Sequence, residues 1–156
     1  MLAQLRLRVV DDRLRQFIDY LEQKRAGRGF LARRDIDPLE FKYILGNLIL
    51  FDVLYDPLRF RYRLVGSHLV ARRGFDMTGK LLDEHPDPMV ADAVRRNLMK
   101  IIETRTPILA TVDAPIDNVP GWYESLGVPM SDDGLNINMV VTAVGAVAHY
   151  SDAPQQ

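Results

Sequence analysis

The sequence predicts an α+β fold: an antiparallel sheet covered by helices and preceded by an amphipathic helix. Three observations carry that reading. Leu14, Phe17, Ile18 and Leu21 recur at three- and four-residue steps, the period of one helix face. Two groups of strand-like segments, at 48–65 and 107–148, turn back on themselves through short loops, and such hairpins pair antiparallel. Helical segments lie between the two groups and have to cover one face of the sheet. The other face is left to the N-terminal helix or to a partner.

Each element has its own local reason. Asp11 or Asp12 caps the first helix, which runs to about Ala26 and stops at Gly27-Arg28-Gly29. In Asp37-Pro38-Leu39-Glu40 the Asp caps, the Pro takes the first helical position and the Glu reaches back to the cap. That short helix carries Phe41, Ile44 and Leu45 and ends at Gly46. Leu48 to Tyr55 is apolar enough for a buried strand, and Asp56-Pro57 turns the chain. From Phe60 to Val65 the residues alternate, with Phe60, Tyr62 and Leu64 on one face and Arg61, Arg63 and Val65 on the other. Gly66-Ser67 opens a short helix to about Arg73, and 74–86 is a loop rich in Gly, Asp and Thr. Asp87-Pro88 starts a long helix to about Thr104, whose Val90, Val94, Leu98, Ile101 and Ile102 share a face while Arg95, Arg96 and Lys100 sit mainly off it. Three strands follow: Pro107 to Asp113, Trp122 to Val128, and Leu135 to about Ala148. Ser131-Asp132-Asp133-Gly134 joins the last two. The final strand is apolar on both faces after Val140, which places it centrally.

Composition narrows the function classes. A chain of 156 residues suits one domain, which at that size buries about two-thirds of its unfolded surface. The organisation expected is an N-terminal helix with a basic segment at 1–28, a folded domain at 29–150 and a disordered tail at 151–156. Net charge is -1, so no global field drives the chain onto nucleic acid or an anionic membrane. The charge is uneven: residues 1–34 hold nine Lys/Arg against four Asp/Glu, +5, and the remainder carries -6. There is no cysteine, which excludes disulfides, thiolate metal sites and a cysteine nucleophile. No signal peptide or membrane span is visible, and the protein is read as cytoplasmic.

Several motifs fail on their chemistry. Gly74-Phe75-Asp76-Met77-Thr78-Gly79-Lys80 matches the start of a phosphate-binding loop, but Leu81 follows where a hydroxyl is needed and Asp76 would repel phosphate. Asp83-Glu84-His85-Pro86-Asp87 gathers three carboxylates around a histidine, a possible divalent-metal set, yet Asp87 already serves as a helix cap. His68 and His149 have no ligand spacing, so no metal site is assigned and haem has little support. No catalytic residue is singled out. Arg63 is more informative. A guanidinium in a strand suited to burial needs a carboxylate or a bound anion, and Asp76 is the expected partner. The aromatics Tyr62, Trp122 and Tyr123 either line a pocket or fill the core. With Arg63, Leu64, Asp76 and Thr78 they form the candidate pocket, between the helix-facing side of the sheet and the segment 66–86.

Four pieces in this order carry a family resemblance: Arg34-Asp35-Ile36-Asp37-Pro38, Phe60-Arg61-Tyr62-Arg63-Leu64-Val65-Gly66, Gly74-x-Asp76-x-Thr78-Gly79, and Tyr123-x-x-Leu126-x-x-Pro129-x-Ser131-x-Asp133-Gly134. Over roughly 29–150 the chain resembles a bacterial subfamily of PAS domains, mostly short stand-alone proteins whose function is not established. The resemblance implies a five-stranded antiparallel sheet in the order 2-1-5-4-3 with helices over one face. It implies a non-catalytic sensory or regulatory domain that holds a small molecule between sheet and helices, or docks. The signal would pass through self-association or an unidentified partner protein. An N-terminal amphipathic helix that pairs two copies is common in such domains, which makes Leu14, Phe17, Ile18 and Leu21 the candidate homodimer surface. The cofactor is unknown, and flavin photochemistry through a cysteine adduct is excluded. A small enzyme of cone-shaped α+β fold is the rival reading, to be promoted by His85 or His68 buried against a carboxylate in a deep pocket.

Overall fold

The computed structural model describes residues 1–116 and 119–149; the tail expected at 151–156 lies outside the described residues. The chain begins with a short helix α1 (Leu2–Arg6), which the sequence reading did not contain, and then α2 (Asp12–Arg25). Asp11 caps α2 by accepting from the backbone N–H groups of Arg13 and Leu14. A 3₁₀ turn at Pro38–Phe41, capped by Asp37, leads into α3 (Lys42–Leu45). The hairpin β1 (Leu48–Leu54) and β2 (Arg59–Val65) precedes α4 (Ser67–Arg73). After a loop comes α5 (Pro88–Thr104), then β3 (Ile108–Ile116), β4 (Val119–Met130) and β5 (Met139–His149). Residues 135–138 lie in the turn before β5 rather than in the strand, because Asp133 takes up the backbone N–H groups of Leu135 and Asn136.

All pairings are antiparallel, and the sheet order is β2-β1-β5-β4-β3. The long apolar β5 is central, because a strand buried on both faces has no place at an edge. Helices occupy both faces. On one, the α2 stripe of Leu14, Phe17, Ile18 and Leu21 is fully buried with Leu48, Leu50, Leu126, Val128, Val141 and Ala143. On the other, Leu98 and Ile101 of α5 pack with Phe51, Phe60, Tyr62 and Val140. Two glycines set how closely the helices approach. A Cβ on Gly145 would meet Leu14 Cδ1 at 2.5 Å, and one on Gly127 would meet Ile101 Cδ1 at 2.5 Å.

A bulge changes the faces of β2. Leu50 stands opposite Leu64, but Phe51 stands opposite Tyr62, so Arg63 is the extra residue. Beyond it the alternation inverts. Leu64 leaves the face of Phe60 and Tyr62 and is exposed, and Val65 joins Ile49 on the face of α5. Strict period-two counting over 60–65 therefore misplaces both residues.

The expected Arg63–Asp76 ion pair does not form. Asp52 of β1 accepts from Arg63 Nη1 at 3.4 Å and from Arg61 Nη2 at 3.0 Å. The two carriers are neighbours across the hairpin, where Asp52 stands opposite Arg61. Asp76 instead accepts from the backbone N–H and the hydroxyl of its own neighbour Thr78, at 2.9 and 2.7 Å. The loop is pinned to β2 by backbone bonds: Gly79 N–H donates to Tyr62 C=O at 2.6 Å and Tyr62 N–H to Lys80 C=O at 2.9 Å. Local hydrogen bonds satisfied the carboxylate before a distant arginine was needed.

Candidate functional site: a cavity between the sheet and two helices

A cavity of about 970 Å³ opens between the sheet and the helices α4 and α5. Alternation within the strands builds its floor. Ile49 and Phe51 come from β1, Tyr62 and Val65 from β2, Tyr123, Ser125 and Gly127 from β4, and Thr142 and Val144 from β5. Leu69 of α4 and Val90, Val94, Leu98 and Ile101 of α5 form the roof, with Phe75 and Met77 of the connecting loop along one wall. The volume is that of a site for an organic molecule of drug size, and the lining is mainly apolar.

Polar groups are few and clustered. The Tyr62 ring lies 4.7 Å from that of Phe51, and the residue is only 4% exposed. Burial pushes its hydroxyl up to about 12, against the lowering charge of Arg73. Burial likewise raises Tyr123, which Arg73 pulls back by charge and hydrogen bonding. His85 is 8% exposed and its ring meets Phe75 edge-on at 5.4 Å. Burial, then the charge of Arg73, lowers its pKa, so the ring is neutral near pH 7. Its Nδ1 accepts from the backbone N–H of Asp87 at 3.0 Å, which leaves the proton on Nε2. Arg73 thus acts on three ring groups of the same cavity. Arg72, Arg96, Asp87 and Asp113 also line it.

The structure brings two of the seven sequence-derived pocket residues, Tyr62 and Tyr123, into the lining. Arg63 and Leu64 are exposed and outside it. Trp122 precedes Tyr123 in an alternating strand and is also outside the lining. Asp76 and Thr78 form an exposed local turn in which Thr78 Oγ1 accepts from Val65 N–H at 3.3 Å. Sequence reasoning missed Arg72, Arg73 and Arg96 as cavity residues. The signal for the first two was a pair of arginines closing a short helix directly after a strand. No such signal separated Arg96 from Arg95. Arg95 pairs with Asp83 and Asp92, whereas Arg96 reaches the cavity.

The acidic cluster around His85 has dispersed into separate tasks. Asp83 pairs with Arg95, Glu84 accepts from Leu81 N–H and Asp87 caps α5 through Met89 N–H. No group of three metal-ligating side chains is gathered among the described residues. His68 is exposed, and its Nδ1 lies 3.0 Å from Asn47 Oδ1 rather than from a carboxylate. Among the described residues no helix is long and apolar enough to cross a membrane. The α2 stripe offered for pairing is occupied by the chain's own sheet, so a second copy reaches those four side chains only if the helix is exchanged or displaced.

Comparisons with known proteins agree with this architecture. A family model described as PAS domain matches residues 10–125. The PAS domain from Bordetella pertussis BvgS superimposes with a TM-score of 0.53 at 17% identity, over 74% of this chain and 90% of that one. A sensory box sensor histidine kinase from Vibrio cholerae aligns at 22% identity over 69% of this chain and 89% of that one, with a TM-score of 0.48. Among curated proteins none matches.

Proposed function

Because this chain belongs to the PAS domain family, we propose that it is a non-catalytic sensory or regulatory domain that binds a small molecule between the sheet and helices α4 and α5. The observation that carries this reading is the cavity of about 970 Å³, walled mainly by apolar side chains and furnished with a few convergent polar ones. Binding there would be felt on the far side of the sheet. In β5, Thr142 and Val144 line the cavity while Val141 and Ala143 pack with α2. A ligand that prefers one packing of these strands shifts the docking of α2 by its difference in affinity for the two states. Signalling then passes through self-association or a partner protein that meets the N-terminal helices. A cytoplasmic location and a small-molecule rather than nucleic-acid partner suit the absence of cysteine and the sequence pI of about 6.3.

The enzyme reading asked for a buried histidine against a carboxylate. His85 is buried, but its Nδ1 is held by a backbone N–H and no carboxylate contact to the ring is found among the described residues. Native mass spectrometry of protein purified from cells, followed by thermal-shift screening of metabolite pools, tests the sensor reading. A retained molecule or a stabilising hit is the expected result. A protein that neither retains nor answers to any compound would be a docking module instead.

A further inference from the structure

We propose that the cavity recognises a monocarboxylate with an apolar body, its carboxylate held by Arg73, Tyr62, Tyr123 and His85. This rests on the sensor reading above and adds the ligand's chemical class. Two donors in the wall have no partner among the described residues. The Tyr62 hydroxyl makes no hydrogen bond among the described residues although the residue is only 4% exposed. The Nε2–H of His85 makes none either, since only Nδ1 is engaged. A buried donor left unpaired costs about 1–3 kcal/mol, so an acceptor is expected where both line one space. Arg73 stands close enough to alter Tyr62, Tyr123 and His85 electrostatically, and it has no salt bridge among the described residues. One guanidinium, two phenol hydroxyls and an imidazole N–H, all donors, match the lone pairs of a carboxylate.

The charge count selects a monoanion. Arg72, Arg73 and Arg96 line the cavity with Asp87 and Asp113, and three positive against two negative charges leave +1. A phosphate monoester carries nearly two negative charges near neutral pH and would be undercompensated. The apolar walls of Phe51, Val94, Leu98 and Ile101 require that the rest of the ligand be hydrocarbon.

The test uses the whole chain and titrates benzoate, phenylacetate, 4-phenylbutyrate and octanoate against their primary amides, by calorimetry and thermal shift. At least one carboxylate is expected to bind while its amide does not. Arg73→Met should weaken that binding by about tenfold to a hundredfold, and Tyr62→Phe by about tenfold. Arg59→Met, on an exposed position of β2 outside the cavity, should leave it unchanged. Equal binding of acids and amides, or acid binding that survives Arg73→Met, overturns the carboxylate assignment and leaves the sensor reading standing. If none of the compounds binds, the carboxylate assignment also fails. Native mass spectrometry then decides the wider reading: a neutral molecule carried from cells keeps it, and an empty protein removes both.

Discussion

At the scale of single residues, Glu124 is the most consequential charge outside the cavity. Its carboxylate is buried in β4 and accepts from Val10 N–H at 2.8 Å and Asp11 N–H at 3.1 Å, which ties the α1–α2 connection to the sheet. Glu124→Ala leaves both N–H groups short of an acceptor and should cost about 2–3 kcal/mol in urea unfolding, while Glu124→Gln recovers part of that. Arg63 behaves differently. Its side chain is 56% exposed and Asp52 keeps Arg61 when Arg63 is lost, so Arg63→Met should cost less than about 1 kcal/mol. A double change with Asp76→Leu should show no coupling. Asp133 sets a pH dependence. The backbone N–H groups of Asn136 and Leu135, then the Asn136 amide and the Ser131 hydroxyl, hold its carboxyl well below the usual carboxylate range. A depressed folded pKa gives stability that is complete above the unfolded value of about 4 and is lost as pH falls below it. Melting temperature measured from pH 6 down to pH 2 should therefore drop, and Asp133→Asn should make that drop shallower.

Elements are positioned by contacts that substitution can reach. The turn after β2 sits directly on the turn after α3: a Cβ on Gly66 would lie 2.2 Å from the carbonyl oxygen of Gly46. Backbone cannot retreat as a flexible side chain does, so Gly66→Ala should destabilise by about 3 kcal/mol in the same urea assay. Gly29→Ala, with nothing within 4 Å of its added Cβ, should be close to neutral. The family motifs read from the sequence act at this scale too. The Asp76–Thr78 turn, the Ser131–Asp133 turn and the Asp35 carboxylate on Ala32 N–H are satisfied loop geometries. They shape the frame, and the cavity donors Arg73 and His85 lie outside them.

For the whole molecule, the decisive arrangement is helices on both faces of one sheet. Without α1 and α2, the face formed by Leu48, Leu50, Leu126, Val128, Val141 and Ala143 would stand in water. Deleting residues 1–26 should therefore raise the mass found by light scattering, through self-association or aggregation of the bared face. A well-behaved monomer from that deletion would contradict the packing described above.

The amino-acid sequence alone determined α2, α5, the five strands, their antiparallel pairing and the central place of β5, because hydrophobic period, caps and turn residues are local and each leaves its own mark; it missed α1 and began β5 too early. Through family motifs it also reached the sheet order. Only the tertiary structure decided which residues meet. The bulge at Arg63 moved Leu64 and Val65 to new faces, Asp52 rather than Asp76 took the arginine, and α2 spent its stripe on its own sheet. Of the cavity group the sequence offered Tyr62 and Tyr123, while Arg73 and His85 were hidden for the same reason. Arg73, His85, Tyr62 and Tyr123 come from a helix end, a loop and two separate strands, and nothing local in a sequence records that the packing of α4 and α5 over the sheet brings them to one space.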